Sequence, residues 1–178
     1  ISVGEIRDST TAALAAQASL TGHLVLSTLH SSTSSGAPTR LTNMGLEGYI
    51  VSSALKAVLS QRLLRKLCTK CAIPVAATSQ MVEDLGFAEL GLDIPARFYK
   101  ASEKGCDQCA KRGYKGRVVA AELLVCNNDV NSGIVNKVSA NELESIVRKT
   151  NKHSIHYDAL LWLASGDTSV EEVKRVGV

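Results

Sequence analysis

Aromatic side chains are scarce in this sequence: two Phe, one Trp and four Tyr among 178 residues. A core must therefore be built from Ala, Leu, Val and Ile. There are enough of these, since 45% of the residues are hydrophobic, and the length suits one domain or one and a half. Excess charge is also lacking. A formal net charge of +3 is too small by itself to argue for a nucleic-acid partner. No apolar run approaches the roughly 20 residues of a membrane span, and no charged-then-apolar secretory leader is present. These absences point to a cytoplasmic protein. A Met at the first position is missing too. Ile1-Ser2-Val3-Gly4 running straight into Glu5-Ile6-Arg7-Asp8 reads as the end of a buried strand, so the expectation is a piece of a longer fold.

What is present reads first as strand, helix, strand. Residues 1–3 look like a strand end. From Ser9 to Leu20 the chain is rich in Ala, the best helix former, with Asp8 or Ser9 available as cap and Thr21-Gly22 as stop. His23 to Leu29 is a mostly apolar run that predicts a strand buried on both faces. This order implies a parallel α/β sheet. A Ser/Thr/Gly loop, Ser31 to Gly36, precedes two expected helices, Ala37 to Met44 and Gly48 to Leu59. Val118 to Val125 predicts a strand entered through the Gly113-Tyr114-Lys115-Gly116-Arg117 turn. Four helices are expected after it: 131–138, 140–149, 155–164 and 170–176. Ser139 with Glu142 forms a capping-box pattern, and Thr168 or Ser169 can cap the last helix.

Five cysteines carry the sharpest chemical signal. Cys68 and Cys71 form one Cys-x-x-Cys pair, Cys106 and Cys109 another, with 34 residues between the pairs. Each pair can sit on one knuckle turn with both sulfurs aimed at one ion, and four thiolates suit tetrahedral zinc. Such a shell has no open position for water, so the zinc would be structural. Ordinary buried thiols or two disulfides are the alternatives. Disulfides are disfavoured in a cytosolic setting, and ordinary thiols do not account for the paired spacing. Arg65, Lys66, Lys70, Lys104, Lys111 and Arg112 stand close in sequence and can offset the −2 charge of a four-thiolate zinc site. Cys126 stands apart and reads as a core cysteine.

The N-terminal segment places an acid, Glu5, at a strand end and a histidine, His23 or His30, at each end of the next strand. Ligands of open parallel sheets bind beyond the carboxyl ends of the strands, where Glu5 and His30 are expected and His23 is not. Here the residues resemble a known family. Gly4-Glu5-Ile6-Arg7-Asp8, Thr21-Gly22-His23 through His30, Arg40-Leu41-x-x-Met44-Gly45, Gln61-Arg62-Leu63-x-Arg65-x-Leu67-Cys68-x-x-Cys71, Gly105-Cys106-x-x-Cys109-x-x-x-Gly113-Tyr114-x-Gly116-Arg117, and Glu122-Leu123-Leu124 through Gly166-x-Thr168-x-x-Glu171-Glu172-Val173-x-Arg175-Val176 occur in order along essentially the whole chain. This set resembles the type II secretion and type IV pilus assembly ATPases. The cysteine module resembles the secretion and extension branch, because the retraction ATPases lack it.

The resemblance implies the C-terminal part of an α/β, RecA-like P-loop ATPase domain: an ATPase core over residues 1–67, a tetracysteine zinc module over 68–117, and a strand and helical subdomain over 118–178. It implies that Glu5 polarises the attacking water near magnesium, that Arg7 and Asp8 support this loop, and that His23 to His30 is a histidine box. His30 would stand nearer the γ-phosphate, whereas His23, the other cofactor-binding candidate of the box, taken alone reads as structural rather than catalytic. ATP and Mg would be the ligands of the longer parent. The partners would be a homo-hexameric ring and an inner-membrane platform protein, on the cytoplasmic face of that membrane, with no nucleic acid. Thr10 stands where the family usually has Glu, and Ser31-Ser32 where it has Thr-Asn. No Gly-x-x-x-x-Gly-Lys-[Ser/Thr] loop exists in the chain, so half of a nucleotide site is expected here, and no turnover from these residues alone. A zinc-ribbon nucleic-acid binder and a non-catalytic homologue with an assembly role are the competing functions. Modest charge and few stacking aromatics speak against the former.

Overall fold

A computed structural model describes residues 1–31, 33–151 and 153–177. Ser32, one of the two residues that replace the family's Thr-Asn, lies outside them. The elements in chain order are β1 (Ser2–Val3), α1 (Ser9–Leu20), β2 (Leu26–Ser27), α2 (Gly36–Asn43), α3 (Gly48–Ala54), β3 (Ala57–Leu67), β4 (Ile73–Ala76), α4 (Ser79–Leu85) and β5 (Arg97–Lys100). A 3₁₀ turn at Asp107–Cys109 is followed by β6 (Tyr114–Val125), α5 (Asn128–Val135), α6 (Ala140–Thr150), α7 (Ile155–Ala164) and α8 (Val170–Arg175). The described strands form three pairs: β1 with β2, β3 with β6, and β4 with β5.

The chain packs as two units, each drawn from two stretches. The first comprises Ile1–Ser60 and Leu123–Asn151. In it β1 and β2 run parallel, Ser2 opposite Leu26 and Val3 opposite Ser27, with α1 as the connection between them. Small residues carry the buried side of α1: Ala12, Ala15 and Ala16. Ala12 joins Leu41, Val51, Leu124, Val130, Ile134, Leu143 and Val147 in one core. This is the parallel strand–helix–strand arrangement that the sequence pattern implies.

Two expectations are corrected here. The run from His23 to Leu29 is not a strand buried on both faces. Only Leu26–Ser27 forms a ladder, its described partner is β1 alone, and Leu24 and Leu26 are 75% and 63% exposed. An apolar run records that a face can be covered, and here the described residues leave it open. The helix expected from Gly48 to Leu59 also stops early. Leu55 takes extended angles (φ −78°, ψ 123°), and β3 begins at Ala57. From there every second residue through Leu64 turns inward, a period of two that a helix cannot follow.

The second unit comprises Gln61–Glu122 and Lys152–Val178. Its core gathers Leu64, Val82, Leu85, Phe87, Phe98, Ala120, Ile155, Ala159, Leu160, Leu163 and Val173. The stretch between the two cysteine pairs, unassigned in the sequence reading, folds as an antiparallel pair with a helix in its connection. Ile73 lies opposite Lys100 and Ala76 opposite Arg97, while Thr78 caps α4 and Gly86 ends it at φ +72°. The Phe87 and Phe98 rings, 5.8 Å apart, anchor this stretch in the core, so two of the few aromatics are spent here.

Candidate functional site

The first candidate site lies just past the strand ends of β1 and β2. The Ile6 amide donates to Thr28 O (3.0 Å) and Thr28 Oγ1 donates to Gly4 O (2.8 Å), so the two chain exits stay side by side. Glu5 and His30 thereby meet: His30 Nε2 stands 3.0 Å from Glu5 Oε1. This is a close approach rather than an aligned hydrogen bond, for Oε1 is buried and has no hydrogen-bond donor. Arg7 holds the other oxygen, with Nε and Nη2 each 2.5 Å from Glu5 Oε2. The Glu5 side chain is 18% exposed, His30 83% and Arg7 76%. Both partners are therefore free to swing away, and an ion pair this exposed contributes about 0.2–1 kcal/mol.

Asp8 and His23 stand elsewhere. Asp8 caps α1, its Oδ1 accepting from the Thr11 amide and its Oδ2 from Thr11 Oγ1, both at 2.9 Å. The Thr11 amide, more than any other group, holds the Asp8 carboxyl below its usual pKa. His23 lies past the C-terminus of α1, its Nδ1 3.2 Å from Ala18 O and 3.4 Å from Thr21 Oγ1. The structure thus joins Glu5 to His30 and leaves His23 out of their contact.

The second site is the cysteine cluster, which belongs to the second unit. Cys68 and Cys106 sulfurs are 3.7 Å apart, Cys71 and Cys109 3.8 Å, and Cys106 and Cys109 3.8 Å. All four lie within 4.8 Å of one another. These are free thiols, far beyond the roughly 2.05 Å of a disulfide. Zinc–sulfur bonds of about 2.3 Å place the corners of a tetrahedron about 3.8 Å apart, so the donor set fits zinc. Each pair sits on a turn, closed by Cys71 N donating to Cys68 O (3.1 Å) and Cys109 N donating to Cys106 O (3.2 Å). The amides of Cys106 and Gly113 each donate to Cys109 Sγ at 3.2 Å. Led by the Cys106 amide, they hold that thiol down at about 6, where a thiolate ligand is wanted. Two glycines permit the turn. Gly105 and Gly113 have φ of +55° and +72°, and an added Cβ would lie 2.4 Å from Lys111 C or 2.8 Å from Ser102 O. Cys126 is in the other unit, half-buried, its thiol pushed up by burial to about 11.

A third cluster escaped the sequence reading, in which Arg65 stood only as a cation beside the cysteine site. Glu172 is fully buried, and Arg65 and Arg175 grip it. Arg65 donates from its amide (2.8 Å) and from Nε (2.7 Å), and Arg175 from Nε (2.8 Å) and Nη2 (2.9 Å). The Arg65 guanidinium lies 4.1 Å above the Tyr114 ring centre, and the Tyr114 hydroxyl is 2.9 Å from Ser169 Oγ. Arg65 and Glu172 are 107 residues apart, and no local pattern signals their pairing.

Comparison with known proteins now decides the family. The model of the type II/IV secretion system protein family matches residues 1–175. The chain belongs to that family. It is similar to the type II secretion system protein E of Pseudomonas aeruginosa, 44% identical over 178 residues, and to the type IV pilus assembly ATPase PilB of Thermus thermophilus, 43% identical over 173. The first alignment covers 99% of this chain and 34% of the relative, the second 97% and 19%. The chain thus spans about a third of the length of the first relative and about a fifth of the second. Among solved structures it resembles the pilus retraction motor PilT (TM-score 0.64) and the ATPase DotB of Legionella pneumophila (TM-score 0.60). Each is 22% identical and covers 99% of this chain, with 39% of the PilT chain and 37% of the DotB chain covered. That likeness is one of fold: both share the α/β architecture of this chain.

Proposed function

We propose that this chain is the C-terminal portion of a hexameric ATPase that powers type II secretion or type IV pilus assembly, with Glu5 as the residue that orients the attacking water. The meeting of Glu5 and His30 past the ends of two parallel strands, in a chain of this family, carries the reading. A carboxylate at a strand tip suits in-line phosphoryl transfer, in which catalysis is mainly positioning and charge stabilisation. His30, exposed and adjacent, is suited to meet phosphate charge. Asp8 fixes the start of α1 and hence the Glu5 loop, and His23 serves the opposite end. Bound magnesium would neutralise phosphate charge there. The ligand set is partial, because the phosphate-cradling loop is not among these 178 residues.

Residues 1–67 then belong to the ATPase core, 68–117 to a zinc module and 118–178 to a strand and helical subdomain. The cysteine module, closed by four sulfurs, braces the fold and takes no part in hydrolysis. A six-membered ring would work on an inner-membrane platform protein from the cytoplasmic side. No described helix is long and apolar enough to cross a membrane, which accords with attachment through a partner.

The isolated 178-residue chain is expected to bind and hydrolyse ATP negligibly. A protein in which it follows a phosphate-loop domain is expected to hydrolyse ATP and to lose at least 100-fold in kcat on Glu5→Gln. Steady hydrolysis by the isolated chain that vanishes with Glu5→Gln would refute the half-site. Full activity of the Glu5→Gln parent would refute the role of Glu5.

A further inference from the structure

Beside the cysteine turns, Arg65, Arg112, Tyr114, Gly116 and Arg117 line a cavity of about 410 Å³. Three arginines line one space open to solvent, and no acidic residue is among those that line it. Their roles differ. Arg65 is committed to Glu172 and to the Tyr114 ring, and the Tyr114 hydroxyl to Ser169, so these two form a fixed wall. Arg112 spends only Nε, on Cys109 O at 3.3 Å. Among the described residues, its terminal nitrogens and the whole Arg117 guanidinium make no ion pair or hydrogen bond.

The backbone brings this about. Tyr114 and Arg117 are three residues apart at the start of β6, and regular alternation would send them to opposite faces. Gly116 has φ +83°, in the left-handed region, which breaks the alternation and lets both line one cavity. A chance run of solvated arginines has no need of that kink.

The ligand class follows from the donors. A carboxylate offers two oxygens. The one at hand, Glu172, already takes its fill from Arg65 and Arg175. Two further unspent forks call for an anion with more acceptor oxygens, and a phosphate group supplies three or four. We propose that this cavity is a phosphate-binding site, with Arg112 and Arg117 as the donors and the Arg65–Tyr114 pair as the wall. It lies in the second unit, whereas Glu5 and His30 belong to the first.

The test is calorimetric titration of the 178-residue chain with pyrophosphate at low salt, alongside sedimentation with vesicles of phosphatidylglycerol or of phosphatidylcholine. Saturable pyrophosphate binding is expected, weakened tenfold or more in Arg117→Ala and Arg112→Ala and less in Arg117→Lys. Arg97→Ala, outside the cavity, should change nothing, and all variants should keep their zinc content and melting temperature. Pyrophosphate binding without vesicle binding identifies a soluble phosphate compound. Sedimentation with phosphatidylglycerol alone, lost in the same variants, identifies a lipid headgroup. No binding of either probe, or binding indifferent to both alanine variants, overturns the site. Poly-glutamate displacing pyrophosphate at lower concentration overturns the choice of phosphate.

Discussion

Glu172 is fully buried, yet its carboxyl is held down at about 2. Burial alone would push the value up, and the hydrogen bonds from Arg175 and Arg65 outweigh it. A depressed native pKa means stability that is complete above the unfolded value, 4.5, and lost as pH falls through about 2. A shift of that size corresponds to about 3 kcal/mol. Glu172→Gln should therefore destabilise the chain by about 3 kcal/mol in urea at pH 7, since it leaves two arginines facing a neutral amide. The gap between wild type and variant should narrow as pH drops from 4.5 towards 2. A gap that stays constant over that range would mean that packing, rather than charge, holds Glu172. At this scale the sequence was legible wherever the partners were near neighbours. The cysteine pairs and the Asp8 cap are spacing patterns. Arg65 and Glu172 meet only through the fold, and nothing around either residue announces the other.

Among elements the same rule separates helices from strands. The helix starts expected at Ser9, Ala140, Ile155 and Val170 all stand, because a cap is a bond between residues three apart. In α6 the box is complete: Ser139 Oγ accepts from the Glu142 amide at 3.2 Å, and Glu142 Oε2 accepts from the Ser139 amide at 2.9 Å. Ser139→Ala should cost about 1 kcal/mol in denaturant unfolding, and Ser139→Asp should recover most of it. An alanine variant as stable as the parent would show that packing of Leu143 and Val147 alone holds α6. Strand limits were less legible. The first three residues of β3 were taken into the preceding helix because Val51, Leu55, Val58 and Leu59 fit helical spacing. The pairing of β3 with β6, across more than forty residues of sequence, decides for the strand. The 34-residue stretch between the cysteine pairs gave no clear period, and its pairing of Ile73 with Lys100 is likewise non-local.

For the molecule as a whole, the family was legible because its motifs are local and ordered, whereas the division into two units was not. Each unit joins distant stretches, and no composition change marks the joins after Ser60 and Glu122. Each unit has its own core, so the loss of metal should be felt unequally. The cysteine turns touch the second unit directly: Cys68 N donates to Gly113 O, and Leu67 N to Asp167 O. Zinc bound to the native cluster and more weakly to the unfolded chain stabilises by mass action. The purified chain should carry about one zinc, and much less than one, with no other metal in its place, would overturn the metal assignment. Stripping that zinc with a chelator should speed amide hydrogen exchange in β4, β5 and α8 by tenfold or more. The amides of α1, α3 and α5, whose core rests on Val51, Val130 and Ile134, should change far less. Equal acceleration in both sets would mean that the two cores open as one, and that the cysteine cluster braces the whole chain rather than the unit that contains it.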